Sequence, residues 1–190
     1  MKKFIICFAL CLMATLNINA QEKEHLKFMG IPIEGSASAF SQKLVTKGFV
    51  KTKTSENTCA LKGTFAGEKD VELIVCQTPK TKQVWKVSVY LPKVSTWSII
   101  KRQYERYKTS FSEKYGTPDH NYEFFDSPYY EGDGYEESAV KNEKCFYASI
   151  WDCGLMVSIS QFMQIKLVYE DPINSELDDK EKNQVIEDDI

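Results

Sequence analysis

His25 and His120 are the only two imidazoles in a chain of 190 residues, and any acid–base chemistry near neutral pH would have to pass through one of them. A Ser–His or Cys–His pair meets in space rather than in sequence, so spacing alone does not exclude one. His25 lies close behind an apolar leader, and His120 follows Pro118-Asp119 in a turn. No G-x-S-x-G, H-E-x-x-H, P-loop or dinucleotide fingerprint is present. The two histidines therefore read as turn or surface residues, and no catalytic, cofactor-binding or metal-binding residue is assigned. A second group of candidates is acidic: Asp126, Glu131, Asp133, Glu136 and Glu137. Glu131-Gly132-Asp133-Gly134 offers oxygen ligands on flexible backbone, but its spacing is not that of an EF-hand. A glycosidase pair would need its acids on rigid elements across a cleft. The segment reads as a solvated loop.

Cysteine chemistry depends on compartment. Lys2 and Lys3 precede an apolar run over residues 4–13, and Asn17-Ile18-Asn19-Ala20 ends in a small residue before Gln21. That is the layout of a secretory signal peptide cleaved near Ala20, with a run too short to span a bilayer comfortably. The expected address is periplasmic or secreted. Cys7 and Cys11 follow Ile6 and Leu10 rather than the small residue that precedes a lipid-modified cysteine, so both leave with the leader. Cys59, Cys76, Cys145 and Cys153 remain, enough for two disulfides in an oxidising space. A two-residue hairpin loop at Gly67-Glu68 would set Cys59 opposite Cys76, with Cα atoms roughly 4.5 Å apart, within bonding range. Cys145 and Cys153 bracket a strand and would stand roughly 26 Å apart. Zinc is the other reading of these cysteines, but no C-x₂-C spacing occurs and histidine is scarce.

Tyr122, Phe124, Phe125, Tyr129, Tyr130 and Tyr135 place six aromatic rings within fourteen residues. Strand alternation buries either Phe124 with Tyr122, or Phe125 alone. A loop does not easily bury all of Tyr129, Tyr130 and Tyr135. Tyrosine gives large contact area at low entropic cost, so these three are the candidate binding surface. The competing reading folds them back as a lid on the core.

The elements that position these residues follow from periodicity. Ser36 caps a helix over residues 37–47 whose Ala37, Phe40 and Leu44 share a face, with Gly48 behind it. Ser95 or Thr96 caps a second helix carrying Trp97, Ile100, Tyr104, Tyr107 and Phe111 as one apolar stripe, ended by Gly116 and Pro118. After a short entry strand within 25–33, strands are expected at 49–53, 59–65, 71–78 and 84–91. Four more follow the second helix, at 122–125, 144–151, 155–161 and 165–169. Tight turns make them antiparallel. The fold class is α+β: an antiparallel sheet with two helices packed on it, the helix-then-strands arrangement occurring twice.

The net charge of −3 is unevenly spread, because residues 170–190 hold nine acids against Lys180 and Lys182. The remainder is slightly basic, with no concentrated positive face of the kind nucleic acid requires. Lys101, Arg102, Arg106 and Lys108 read as the wet side of the second helix. The expected organisation is a leader at 1–20, one domain at 21–169 and an acidic, mobile tail at 170–190.

Three stretches resemble landmarks of an uncharacterised family of small secreted proteins from Bacteroides-type bacteria. They are His25-Leu26-Lys27-Phe28-Met29-Gly30-Ile31-Pro32-Ile33, Gly63-Thr64-Phe65-Ala66-Gly67, and Tyr169-Glu170-Asp171 with Asn174. The resemblance implies an exported address in a Gram-negative host and no particular activity. The repeated helix-then-strands order is also similar to the β-lactamase-inhibitor-protein architecture, whose members bind protein partners across a sheet. The functional expectation is a non-enzymatic, exported module that binds an envelope or secreted protein through its sheet face and the Tyr129–Tyr135 loop. The alternative is a small-ligand or glycan-binding protein using the same rings in a pocket. A hydrolase would need His120 beside an acid or cysteine in a cleft.

Overall fold

A computed structural model describes residues 24–189; the leader and its cleavage point lie outside them. The chain enters through a two-stranded hairpin, β1 (Lys27–Phe28) and β2 (Ile31–Pro32), and then forms α1 (Ala37–Val45). A four-strand meander follows: β3 (Val50–Thr54), β4 (Thr58–Phe65), β5 (Glu68–Gln77) and β6 (Val84–Tyr90). The second half repeats the plan with α2 (Trp97–Tyr115), β7 (His120–Phe125), β8 (Cys145–Trp151), β9 (Leu155–Ser160) and β10 (Gln164–Glu170). Between β7 and β8 lies a short helix, α3 (Glu136–Lys141), and α4 (Pro172–Asp189) follows β10. The eight long strands form one antiparallel sheet in the order β3-β4-β5-β6-β10-β9-β8-β7. The last strands of the two meanders therefore meet at its centre, from Lys166 opposite Tyr90 to Glu170 opposite Lys86. The fold is α+β, with the helix-then-strands arrangement occurring twice.

Period-two alternation sends one set of side chains to the helix-bearing face. Leu61, Leu73, Val87, Val89, Leu167, Val157 and Trp151 are buried there against Phe40 and Leu44 of α1 and Ile100 and Tyr104 of α2. Complete burial of each such side chain contributes about 1.5–3 kcal/mol. Ser36 caps α1 as expected, its side chain accepting from the Ala39 N–H at 3.2 Å. Thr96 stands at the N-cap of α2 but makes no side-chain cap bond. The Glu137 carboxylate accepts the Trp97 N–H instead, at 2.7 Å, bringing negative charge to the positive end of the helix.

Two expectations are corrected. The β4–β5 turn is Ala66-Gly67, with φ of 50° and 84°, the pair of positive values a type I′ loop needs. An irregularity beyond it, with Asp70 at φ 60°, sets Gly63 opposite Val71. The register is thereby one residue away from the expected one, and Cys59 faces Val75 while Cys76 faces Thr58. One step along a strand reverses the face. Cys59 points into the core, Cys76 points to the other side, and all four cysteines among the described residues are free.

The second correction concerns the acidic tail, which is a helix anchored by buried polar groups. Asp171 is fully buried at the N-cap position; its carboxylate accepts from the Leu26 N–H at 2.7 Å, the Asn174 N–H at 2.9 Å and His25 Nδ1 at 3.0 Å. Asn174 donates its side-chain amide to the Ile33 and Val84 carbonyls, at 3.0 and 2.8 Å. About two turns further on, Glu181 accepts from the Lys80 and Thr81 N–H groups and the Thr81 hydroxyl. Burial pushes the Glu181 carboxyl up, but these donors outweigh it and hold it below the ordinary carboxylate value.

Asp171→Ala should therefore lower stability by about 3 kcal/mol, since it strands three buried or half-buried donors from two segments. Urea unfolding checks this, and a loss under about 1 kcal/mol would mean that the clasp contributes little. The depressed Glu181 carboxyl contributes stability that is present above its unfolded-state value and is lost as pH falls through the folded-state value. Glu181→Gln should thus flatten the acid limb of a melting-temperature profile; an unchanged limb would remove this contribution.

Candidate functional site

The second set of alternating side chains points away from α1 and α2. On β7, β8 and β9 this face carries Tyr122, Phe124, Phe146, Ala148, Ile150 and Met156, with Tyr122 opposite Ala148 and Phe124 opposite Phe146. The Phe124 and Phe146 rings stack at 5.0 Å and 21°. Tyr122, Phe124 and Phe146 are 46%, 45% and 41% exposed. Phe125, one residue on, turns inward and packs edge-on against Trp97 and Tyr147. Alternation thus resolves in favour of burying Phe125 alone. A contiguous group of large rings left on a flat surface marks an interaction site more often than a packing defect.

At the far corner of the same face α4 covers the sheet. Its Lys182 ammonium stands 4.9 Å from the Trp85 ring centre, and Lys86 lies over the same ring at 3.9 Å. Between α4 and the strands runs a groove of about 540 Å³ that includes Thr58, Cys76, Trp85, Val185 and Ile186.

Tyr129, Tyr130 and Tyr135 do not share the flat face. Their loop is docked on the helix side, where Glu131 bonds Lys101 of α2 and accepts from the Tyr147 hydroxyl at 3.2 Å. The Asp133 carboxylate accepts the N–H groups of Tyr130 and Tyr135, and Glu136 accepts that of Gly132. Each of these carboxylates thereby organises backbone. The Lys101 hydrogen bond holds the Glu131 carboxyl below its ordinary value against the opposing effect of burial. Tyr129 packs on the core and its hydroxyl accepts from Asn142 Nδ2 at 3.2 Å, which is the lid reading for this ring. Tyr130 and Tyr135 stay 66% and 64% exposed. Sequence reasoning joined this loop and the sheet face into one surface; the structure separates them by the thickness of β7–β8.

The groups with catalytic chemistry are engaged elsewhere. His25 bonds the cap carboxylate of Asp171, and His120, with its side chain 58% exposed, lies 3.7 Å from Asp152 Oδ1. Neither histidine makes a hydrogen bond to a serine or cysteine side chain among the described residues. Burial, helped by the Glu131 charge, pushes the Cys145 thiol up to about 12, and burial also raises Cys76. Among the described residues no cluster of three or more His, Cys, Asp or Glu is placed to hold a metal ion.

A concavity on the helix side went unread in the sequence. Two adjoining lobes of about 370 and 440 Å³ share Lys114, Tyr115 and Tyr169. The first adds Phe65, Tyr107 and Phe111; the second reaches His25. Tyr107 and Phe111 belong to the helical stripe read as core, and each also forms wall here. The helix and hairpin that create this cleft come from different halves of the chain, so no local pattern signals it.

Alkylation of the native protein should modify exposed Cys153 well before buried Cys59 and Cys145. Unfolding without reductant should then release all four thiols; a recovered Cys59–Cys76 peptide pair would overturn the register described above.

No protein-family model matches this sequence, and no curated protein or solved structure matches it either.

Proposed function

We propose that this protein is an exported, non-enzymatic binding module that engages an envelope or secreted protein through the sheet face opposite α1 and α2, at its open β7–β9 corner. The observation that carries the reading is the stacked, half-exposed Phe124–Phe146 pair beside Tyr122. Three aromatic rings on a rigid, flat lattice offer a large apolar area whose conformational entropy is already spent. Protein partners suit such a surface better than small molecules, which need concave sites that enclose most of their area. The N-terminal pattern supports export, and no helix among the described residues is long and apolar enough to cross a membrane. Tyr130 and Tyr135 form a second, smaller exposed group on the opposite side.

The alternative of a small-ligand protein rests on the aromatic cleft around Tyr115 and Tyr169, whose lobes fall in the volume range of ligand sites. The two readings use different residues, so one experiment separates them. Tagged mature chain is cross-linked in the envelope and secreted fractions of its source organism, beside the triple variant Tyr122→Ser, Phe124→Ser, Phe146→Ser. A reproducible partner lost in the variant, whose melting temperature stays within a few degrees of the parent, supports the sheet face. A partner kept by the variant removes the face from the proposal. If no protein is captured while small-molecule screening shifts the melting temperature of the parent but not of Lys114→Ala, the cleft is the site.

A further inference from the structure

An eight-stranded open sheet has two edges, and here they are unlike. The outer strand β3 reads Val50-Lys51-Thr52-Lys53-Thr54, with both lysines exposed and its register to β4 shifted between them. Charged side chains and a bulge on an edge strand discourage pairing with another chain. At the other edge, β7 reads His120-Asn121-Tyr122-Glu123-Phe124-Phe125 and pairs with β8 over six consecutive positions without a shift. It contains no lysine, arginine, proline or glycine, and residues 120–124 are all exposed. Its outward N–H and C=O groups meet no other strand among the described residues.

We propose that β7 pairs antiparallel with β7 of a second copy, about a two-fold axis through Tyr122. A strand that pairs with itself must centre on a residue, because two opposed residues must be alike, both turning their backbone toward the partner or both away from it. Centring on Glu123 sets that carboxylate against its own copy. Centring on Asn121 sets Glu123 against Asp119, and centring on Phe124 leaves only the last three residues of β7 facing strand. Centring on Tyr122 overlaps residues 120–124 and opposes no like charges. It sets Tyr122 against Tyr122, His120 against Phe124, and Asn121 against Glu123. Asn121 and Glu123 lie on the helix-bearing side, where Asn121 Oδ1 already accepts from Ser149 Oγ at 2.7 Å and Glu123 bonds Lys108. One Asn121 amide hydrogen is turned to Glu123 of its own chain, and the second is left to meet the carboxylate of the other copy. On the opposite side the rings of Tyr122, Phe124 and Phe146 from both copies join across the axis. The two sheets become one. This inference shares Tyr122, Phe124 and Phe146 with the face proposed above, but its tests read pairing between copies rather than capture of a partner.

Sedimentation of the mature chain over a range of concentrations should show a reversible dimer. Tyr122→Lys, which opposes two charges on the axis, should weaken it at least about tenfold. The register is read in a Cys153→Ser background. Tyr122→Cys should form a covalent dimer on mild oxidation, whereas Glu123→Cys, offset from its copy, should not. A chain that stays monomeric in sedimentation and gives no cross-link at either position overturns the pairing. A cross-link through Glu123→Cys in preference to Tyr122→Cys overturns the register.

Discussion

A carboxylate with no exposed surface must find its hydrogen bonds inside the protein, and Asp171 takes three of them from two separate segments, the entry segment and α4. The residue directly after β10 thereby caps α4, receives the Leu26 N–H of the entry segment and, through Asn174, reaches the carbonyls of Ile33 and Val84. Its own N–H donates to the Trp85 carbonyl. The entry hairpin, the central strand β6 and the C-terminal helix converge on this one group. Gly154 sits beside the same corner, and a Cβ there would fall 1.9 Å from the Glu170 carbonyl oxygen, so the backbone approaches too closely for any side chain.

That clasp sets the layout of the functional surfaces. With α4 tied over the β5–β6 end of the face opposite α1 and α2, the remaining open area is the β7–β9 corner, where the aromatic rings lie. On the other face α1, α2 and α3 fill the surface except where the two halves diverge around Tyr169. The helix side thus yields a cleft and the open side a flat platform, two geometries suited to different partners. Carboxylates that could have formed a metal loop instead satisfy N–H groups at Gly132, Tyr130, Tyr135 and Trp97. A polar network through Tyr104, Ser149, Asn121 and Glu123 ties α2 to β7–β8 from within. Burial, with Glu123 nearby, raises the Tyr104 hydroxyl and keeps it neutral as a donor.

Much of this was legible locally. The stripe from Trp97 to Phe111 marked α2, Ser36 and Gly48 bracketed α1, and alternation located the ends of the eight sheet strands to within three residues. Less was legible where a segment's partners are remote. The sequence of α4 has few apolar residues, and its anchoring groups Asn174 and Glu181 bond backbone far away in the chain; the Asp171-Pro172 pair, a cap followed by a proline in the first turn, was the available signal. The short helix α3 was hidden inside an acidic loop because its buried face amounts to Ala139, Val140 and the half-apolar Glu136.

What the amino-acid sequence determined by itself was the type and order of α1, α2 and the strands, hence an antiparallel α+β fold with its plan repeated, because periodicity and turn residues act over a few positions. What only the tertiary structure decided was parity and neighbourhood. One extra residue beside the Ala66-Gly67 turn sent Cys59 and Cys76 to opposite faces. Strand alternation and loop docking placed Tyr122 and Phe124 on one side of β7–β8 and the tyrosine loop on the other. Such outcomes depend on a single-residue register and on contacts between distant segments, and neither leaves a local trace.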